Sequence, residues 1–465
     1  MELEKEQLGE WYHKILKDSE IIDSRYPIKG MLVYRRWGMF IIRSMQRELE
    51  TMLENAGHEP TLFPVLIPEN ILGKETEHIA GFEDEVFWIT HAGSNKLDVK
   101  LALRPTSETP IYEMFSLWIR SYSDLPLKVH QSCAVYRYET KHTRPLIRGR
   151  EFLWNEGHSA HINYEDAEKN INEIKEIYKK LITEFLCLPF IADKRPEWDK
   201  FPGAEYTLAC DTIIPDGKTL QIATAHHLGQ NFSKVFDIKY EDENGEQQFV
   251  HQTSYGPSFG RLLAATILVH GDEKGLVLPP KIAPVQVIIV PIVFKGKTEG
   301  IYEYADKIKE KLDSLGIRNT TDNSDKHAGE KYYYWEMKGV PVRFEVGPRD
   351  LKANKVFVAR RDTGEKFALD FDEINKIYEI FKDIEDNLRG DAKKKFEDKF
   401  FKAENFDEIL KFAGKGIVVS GWCGEKSCAD EIEKHCDIIA VEDGKEIACP
   451  VCGGFGYRIG LAKTY

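Results

Sequence analysis

Residues 128–162 read KVHQSCAVYRYETKHTRPLIRGREFLWNEGHSAHI. Two extended arms flank a polar, strongly basic loop. On a strand successive side chains alternate between faces, so Arg137 and Glu139 are expected on one face, and Trp154, Glu156 and His158 likewise on one face. Several polar groups on one buried face cost free energy unless a ligand or partners satisfy them. A solvated sheet face explains the same pattern. A guanidinium at such a place suits a carboxylate or a phosphate through paired hydrogen bonds.

The flanking segments set the architecture around these arms. Trp37, Phe40, Ile41, Leu49, Met52 and Leu53 recur at helical spacing, predicting a helix over 34–56 that Gly57 stops. GHEPTLFPVLIP follows, and Pro60, Pro64 and Pro68 keep it extended. Strand character returns in DEVFWIT and DVKLALRP, and a helix is expected over 107–122. Ile171, Ile174, Ile177, Tyr178, Leu181, Ile182 and Phe185 draw one apolar stripe over 166–186. Residues 206–229 look like two strands about a Pro-Asp-Gly turn, and a helix begins near Arg261. Hairpin-like joins favour an α+β fold, a largely antiparallel sheet with helices packed on it, over a doubly wound one.

The pattern changes after LPPKIAP at 278–284, which reads as a linker. The apolar strand VQVIIVPIV, a helix ending at Gly316, strands at 340–347 and 355–361 and a helix over 372–389 make an α/β module. The expected division is 1–283, 284–384 and 385–465. Five of the eight cysteines fall after residue 420. Cys423-x4-Cys428 and Cys449-x2-Cys452 form two knuckles whose four thiolates suit a closed structural zinc site. Cys436 and His435 lie between the pairs, so exchange of a ligand stays open. Cys133, Cys187 and Cys210 read as small buried fillers.

The 465 residues carry a formal net charge of −13, against indiscriminate coating of nucleic acid, although 137–150 and 343–366 are locally basic. No apolar run approaches the ~20 residues of a membrane span, and the amino terminus has no apolar signal-like core. A cytoplasmic protein without membrane association is expected. Neither GxGxxG after a strand nor GxxxxGK[ST] occurs, so any ATP is held without a P-loop. Polar density collects instead in four places: Arg104, Thr106 and Glu108 in LRPTSE; the arms quoted above; Gln221, Thr224, His226 and His227; and TSYGPSFGR, ending at Arg261. An arginine at a helix start is unfavourable for the helix dipole, which a nearby anion offsets. Together these clusters outline a pocket for an anionic nucleotide and a small zwitterion, without a nucleophile triad.

In this order, LRPTSE, SCAVYRYE, RPLIRGREFLWNEGHSAH, FPGAEYTLACDTIIPDGKTLQIATAHHLGQNFSKVF, TSYGPSFGR and GPRDL closely resemble the prolyl-tRNA synthetases, class II aminoacyl-tRNA synthetases. The resemblance runs from Trp11 to Tyr465. It implies a class II antiparallel catalytic core, an α/β anticodon-binding domain and a zinc-binding α/β extension. It implies proline, ATP with Mg2+, and tRNA(Pro) as substrates, and a homodimer built on the helix and proline-rich strand ending near Pro64. Arg137, Arg148 and Arg261 would be catalytic, acting on the carboxylate and phosphates. Glu139, Trp154, Gln221 and Thr224 would join them around ATP. Thr106, Glu108, Arg137, Glu156, His158, His226 and Ser254 would surround proline, Glu108 holding the imino nitrogen. Arg343, Glu345 and Arg349 would meet the anticodon. The resemblance points to Cys423, Cys428, Cys449 and Cys452 for zinc. Residues 159–252 leave no room for the editing domain of bacterial-type members, so clearance of mischarged alanine falls to another protein. The terminal AKTY implies that Tyr465 folds back on the catalytic domain; from the residues alone it reads as a frayed end. Rival readings are a class II ligase for threonine, serine or histidine, a non-catalytic RNA-binding paralogue, and a structural zinc protein.

Overall fold

The computed structural model describes residues 5–74, 83–293 and 299–465. Its first unit is built on seven strands: β1 (Glu59–Pro60), β2 (Leu127–Tyr136), β3 (Glu151–His161), β4 (Ile191–Lys194), β5 (Tyr206–Ile213), β6 (Thr219–Gly229) and β7 (His251–Pro257). They lie in the order β1-β2-β3-β7-β6-β5-β4. Only the short edge pair β1/β2 is parallel; the others are antiparallel, as expected. The two arms of the basic segment are β2 and β3, in register from Leu127↔Ala160 to Tyr136↔Glu151.

The longer helices beside this sheet are α1 (Lys5–Asp18), α2 (Arg36–Asn55), α3 (Glu108–Trp118), α4 (Tyr164–Lys179) and α5 (Phe259–His270). α1, α2, α4 and α5 contribute their apolar stripes to one large core that includes Tyr12, Met45, Tyr178 and Phe259. α3 packs separately, Tyr112 and Phe115 against Phe232 and Phe236. It stops at Trp118, short of the expected 122, because the Asp124 carboxylate accepts from the Arg120 and Ser121 N–H groups and bends the chain into a 3₁₀ turn. α4 continues to residue 185 as expected, but its last turn, Lys180–Phe185, is π-helical.

One sequence expectation changes its basis. Arg137 and Glu139 are not alternating strand residues. β2 ends at Tyr136, and the Glu139 N–H donates to Arg137 O at 2.7 Å, closing a three-residue turn.

The 278–284 segment is docked, not a free linker. Leu278, Ile282 and Ala283 are buried, and the Arg318 guanidinium donates to the Pro280, Lys281 and Ala283 carbonyls. Beyond it lies a five-stranded sheet in the order Asn319–Thr321, Val287–Pro291, Val342–Val346, Lys355–Arg360, Lys366–Asp370. The first three strands are mutually parallel, and the fourth runs antiparallel to both of its neighbours. α6 (Ile301–Ser314) and α7 (Ile377–Glu397) cover it. α7 runs unbroken past residue 384, so one helix joins the second unit to the third. The third unit is a sheet of Phe400–Lys402, Ile417–Trp422, Phe455–Ala462 and Asp437–Ala448 in that order.

This third unit grips the β5–β6 hairpin of the first. Lys399 Nζ donates to the Ile214 and Pro215 carbonyls at 3.1 and 2.7 Å. Thr219 N–H donates to Lys463 O at 2.9 Å, and Tyr465 Oη to Asp216 Oδ2 at 2.5 Å. The Tyr465 ring lies 4.3 Å from the Arg144 guanidinium and 4.7 Å from Lys218 Nζ. The end of the chain is therefore packed, not frayed.

Candidate active site

β2, β3, β7, β6 and β5 present a continuous row of side chains. Cross-strand register places Thr207 opposite His226, His226 opposite Ser254, and Ser254 opposite His158. Glu156 and Trp154 lie two and four residues before His158 on the same face. His227 points to the other face, stacking on Tyr164 at 4.1 Å. All thirteen residues expected around proline and ATP line one cavity of about 380 Å³: Thr106, Glu108, Arg137, Glu139, Arg148, Trp154, Glu156, His158, Gln221, Thr224, His226, Ser254 and Arg261.

At one part of this cavity stands the Thr106–Glu108 turn. The Thr106 hydroxyl donates to Glu108, whose residue opens α3. Glu156 holds the turn from below. Its Oε1 accepts from Ser107 Oγ at 2.5 Å and from Gln131 Nε2 at 2.8 Å; its Oε2 accepts from Ser107 N–H at 3.1 Å. His158 Nε2 is 3.3 Å from the same Oε2, and Tyr112 Oη is 3.1 Å from His158 Nδ1. Burial favours the neutral form of Glu156, but the contacts from His158, Ser107 and Gln131 outweigh it and hold the carboxyl below its usual range. Ser254 Oγ is buried in the cavity with no hydrogen-bond partner among the described residues, a polar atom suited to a ligand.

Elsewhere in the cavity the loop between β2 and β3 and the start of α5 gather three guanidiniums. Arg137 donates to Pro105 O at 3.1 Å and lies over the Phe152 and Trp154 rings. Arg148 Nε is 3.7 Å from Glu139 Oε2. Arg261 donates to Ile147 O and Gln221 O, both at 3.0 Å, while Ser258 caps the helix it stands on. Burial first, then repulsion from Arg137 and Arg148, pulls Arg261 down to about 10. Arg137 is likewise lowered by burial, which the fields of Glu85, Glu108 and Glu156 partly offset. Arg137 thus stands between the carboxylate group and the other cations. This concentration of positive charge is the expected seat of an anion.

Among the cavity residues to which sequence reasoning gave no role, three bear on the site's chemistry. Phe201 stacks on His226 with ring centroids 4.5 Å apart, narrowing the pocket where Thr207 Oγ1 meets His226 Nδ1 at 2.8 Å. Arg195 and Asp199 also line it. Phe201 lay inside the quoted FPGAEY motif; Arg195 carried no motif signal. Cys133, expected as a filler, is half-buried with its Sγ 3.5 Å from Glu156 Oε1.

The other expected sites lie apart. Cys423, Cys428, Cys449 and Cys452 have sulfur atoms all within 4.8 Å of one another. Neither Cys436 nor His435 belongs to that group; the His435 ring packs against Phe406. In the second unit Arg343 is 7% exposed. It pairs with Glu336 and Glu345 at 3.0 Å each and lies 3.8 Å from the Tyr332 ring centre. Arg349, in the short helix Pro348–Ala353, is exposed.

An antiparallel sheet carrying an arginine-bearing loop between two strands, and closed by a helix that starts at an arginine, defines the catalytic core of a class II aminoacyl-tRNA synthetase. Residues 87–270 match the class II core domain of tRNA synthetases (G, H, P, S and T), and residues 286–379 match an anticodon binding domain. The proline–tRNA ligase of Methanopyrus kandleri is 49% identical over 468 residues, covering 99% of this chain and 96% of that protein. The Giardia lamblia prolyl-tRNA synthetase in complex with prolyl-adenylate superposes with a TM-score of 0.96 at 36% identity, covering all of both chains. The Cryptosporidium parvum enzyme complexed with L-proline and AMP gives 0.92 at 34% identity, over 98% of this chain and 95% of that one. The chain belongs to the prolyl-tRNA synthetase family.

Proposed function

We propose that the protein joins L-proline to tRNA(Pro) in two steps, with the cavity residues in the following roles. Proline sits between the Thr106–Glu108 turn, His158, His226 and Ser254, its imino nitrogen toward Glu108. Arg137 takes its carboxylate and the α-phosphate. Arg148 and Arg261 neutralise the phosphates of ATP, which is taken with Mg2+, while Glu139, Trp154, Gln221 and Thr224 hold the remainder of the nucleotide. The carboxylate attacks the α-phosphorus and expels diphosphate; a 3′-terminal ribose hydroxyl of the tRNA then attacks the prolyl-adenylate and releases AMP. Both steps call for alignment and charge neutralisation, which guanidiniums supply without a covalent nucleophile. The observation that carries this reading is the convergence of three half-buried guanidiniums, Arg137, Arg148 and Arg261, and two buried carboxylates, Glu108 and Glu156, on one cavity of about 380 Å³. ATP–diphosphate exchange with each of the twenty amino acids tests it. Exchange with proline alone is expected; exchange led by threonine or serine would overturn the proline assignment.

The rest of the chain supports this activity. We place the units at 1–283, 284–384 and 385–465, with α7 shared by the last two. Glu345 and exposed Arg349 read the anticodon, and Arg343 braces Glu345 from below. The four cysteines hold a structural zinc. Tetrahedral Zn–S bonds of ~2.3 Å need sulfurs about 3.8 Å apart, which a group within 4.8 Å accommodates, and the Cys452 and Val451 N–H groups face Cys449 sulfur. A second copy of the chain covers Leu62, which is 80% exposed, with exposed Val65 and Leu66 in the same segment after α2 and Trp118 at the end of α3, whose ring packs against Phe63. The enzyme works in the cytoplasm, where its tRNA is. Among the described residues no helix is long and apolar enough to cross a membrane.

A further inference from the structure

Arg195 follows β4 and buries its side chain, 4% exposed, at the junction of the first and third units. Three residues accept hydrogen bonds from its guanidinium. Asp211, 2% exposed, lies 2.8 Å from Nη1 and 3.0 Å from Nη2. Gln221 Oε1 accepts from Nη2 at 3.0 Å. The carbonyl of Ile439, in the third unit, accepts from Nη1. Asp199 stands 3.2 Å from Nε at the more exposed side.

Two β-bulges build this arrangement. In the strand Asp437–Ala448 the ladder passes from Ile438↔Leu461 to Ala440↔Gly460, so Ile439 is skipped and its carbonyl is free to turn toward Arg195. Between β5 and β6 the ladder passes from Cys210↔Ala223 to Asp211↔Gln221, skipping Ile222 and setting Asp211 and Gln221 directly opposite each other. Bulges that re-aim a carbonyl and a carboxylate onto one guanidinium are a built feature, not incidental packing.

The chemical consequence falls on Gln221. A guanidinium has donors only, so the Gln221 amide must offer it Oε1 and send its NH₂ group elsewhere. Gln221 lines the cavity, and its backbone carbonyl is held at 3.0 Å by Arg261, the phosphate-binding arginine. Its NH₂ is thereby a fixed pair of donors for acceptor atoms of the nucleotide. We infer that Arg195 is a positioning residue for ATP, locking the Gln221 amide with its donors toward the nucleotide and braced for this by the Ile439 carbonyl of the C-terminal unit. The inference rests on the ATP subsite proposed above.

Its test is ATP–diphosphate exchange with full-length Arg195→Lys, Gln221→Ala and the double variant, with ATP and proline titrated separately. Lysine keeps the charge that Asp211 needs, but one ammonium cannot serve Asp211, Gln221 and Ile439 together. Arg195→Lys is expected to raise KM for ATP about tenfold, the effect of one misdirected charge-assisted hydrogen bond, with KM for proline within about twofold. In the Gln221→Ala background the same change should add no more than about twofold, because its target is gone. Should Arg195→Lys not fold, Asp211→Asn, which loosens the same guanidinium, is expected to give the same ATP-selective and non-additive loss. Independent, multiplying effects would overturn the inference while leaving the ATP subsite standing, as would a parallel rise in KM for proline or an unchanged KM for ATP. A Gln221→Ala protein with normal KM for ATP, or a wild-type protein without exchange, would overturn the inference together with the subsite reading.

Discussion

Glu156→Gln is the smallest change that should dismantle the proline subsite. The two side chains have the same shape, so the effect is one of hydrogen-bond polarity. Glu156 Oε2 accepts from the Ser107 backbone N–H, a donor that cannot rotate away. Its Oε1 accepts from Gln131 Nε2, and Gln131 cannot turn its amide over because its own oxygen accepts from the Phe63 N–H at 2.9 Å. An amide NH₂ at either position therefore faces a fixed donor. Loss of one buried charge-assisted hydrogen bond, with a donor left unpaired, costs about 2–3 kcal/mol. The strain is relieved most readily by shifting the Thr106–Glu108 turn, which displaces the Glu108 carboxylate proposed to face proline. At 1.4 kcal/mol per factor of ten, KM for proline should rise about 30- to 100-fold, and KM for ATP by no more than about twofold. Exchange assays with proline titrated at saturating ATP give the first value; thermal melting should show a loss of a few degrees. Wild-type KM for proline together with an unchanged melting temperature would refute Glu156 as the organiser of the turn. In the wild type the Glu156 carboxyl is held below its normal range, so its contribution is present above the unfolded value of ~4.3 and lost as pH falls through the folded one. Glutamine should abolish that acid dependence.

Three further outcomes are expected. Mass spectrometry of the native protein should find one zinc per chain, and Cys449→Ser should lose it and lower the melting temperature; an unaltered metal content would dismiss the cluster as a zinc site. Leu62→Asp should halve the particle mass in light scattering, because a carboxylate cannot be buried unpaired against a second copy; an unchanged mass would place any dimer contact elsewhere. Burial takes His270 down to about 4, with its Nε2–H donating to Leu186 O at 3.0 Å. The unfolded imidazole, near 6.5, accepts a proton that the folded one refuses, so stability is full above pH 6.5 and declines from there toward pH 4. His270→Gln should flatten the decline in denaturant midpoint between pH 7 and pH 5; an identical slope in both proteins would exclude His270 as its source.

The catalytic sheet was legible because its signals are local. The period-two placement of Trp154, Glu156 and His158 marks one face of β3, and the proline-interrupted 57–68 segment reads as extended without reference to anything distant. Helix boundaries were less legible where a side chain competes with the backbone, as Asp124 does at the end of α3. The polarity of Arg343 was invisible: the same basic letter serves an exposed reader and a buried brace, and only the positions of Glu336, Glu345 and Tyr332 distinguish them. Arg195 was missed for a related reason. Its partners are 16, 26 and 244 residues away, two of them re-aimed by bulges, and a bulge leaves no signature in a single sequence.

The arginines of the cavity also explain how a chain of net charge −13 can favour polyanionic substrates. Its surface repels nucleic acid on average, which leaves selectivity to concentrated fields. Arg137, Arg148 and Arg261 create one by being held together out of water and against their own repulsion, a cost visible in Arg261, which burial lowers first and the fields of Arg137 and Arg148 lower further. Without nucleotide the cost is borne by the fold, through the carbonyls of Pro105, Ile147 and Gln221 that fix Arg137 and Arg261 in place. Phosphates held as proposed would remove it, so part of the affinity for ATP would be relief of strain already present. The same argument orders the two ligands: Arg137 feels the fields of Glu108 and Glu156, and in the proposed role it serves the phosphates on one side and the amino acid on the other, so each ligand should bind more tightly when the other has settled its share of that guanidinium's field.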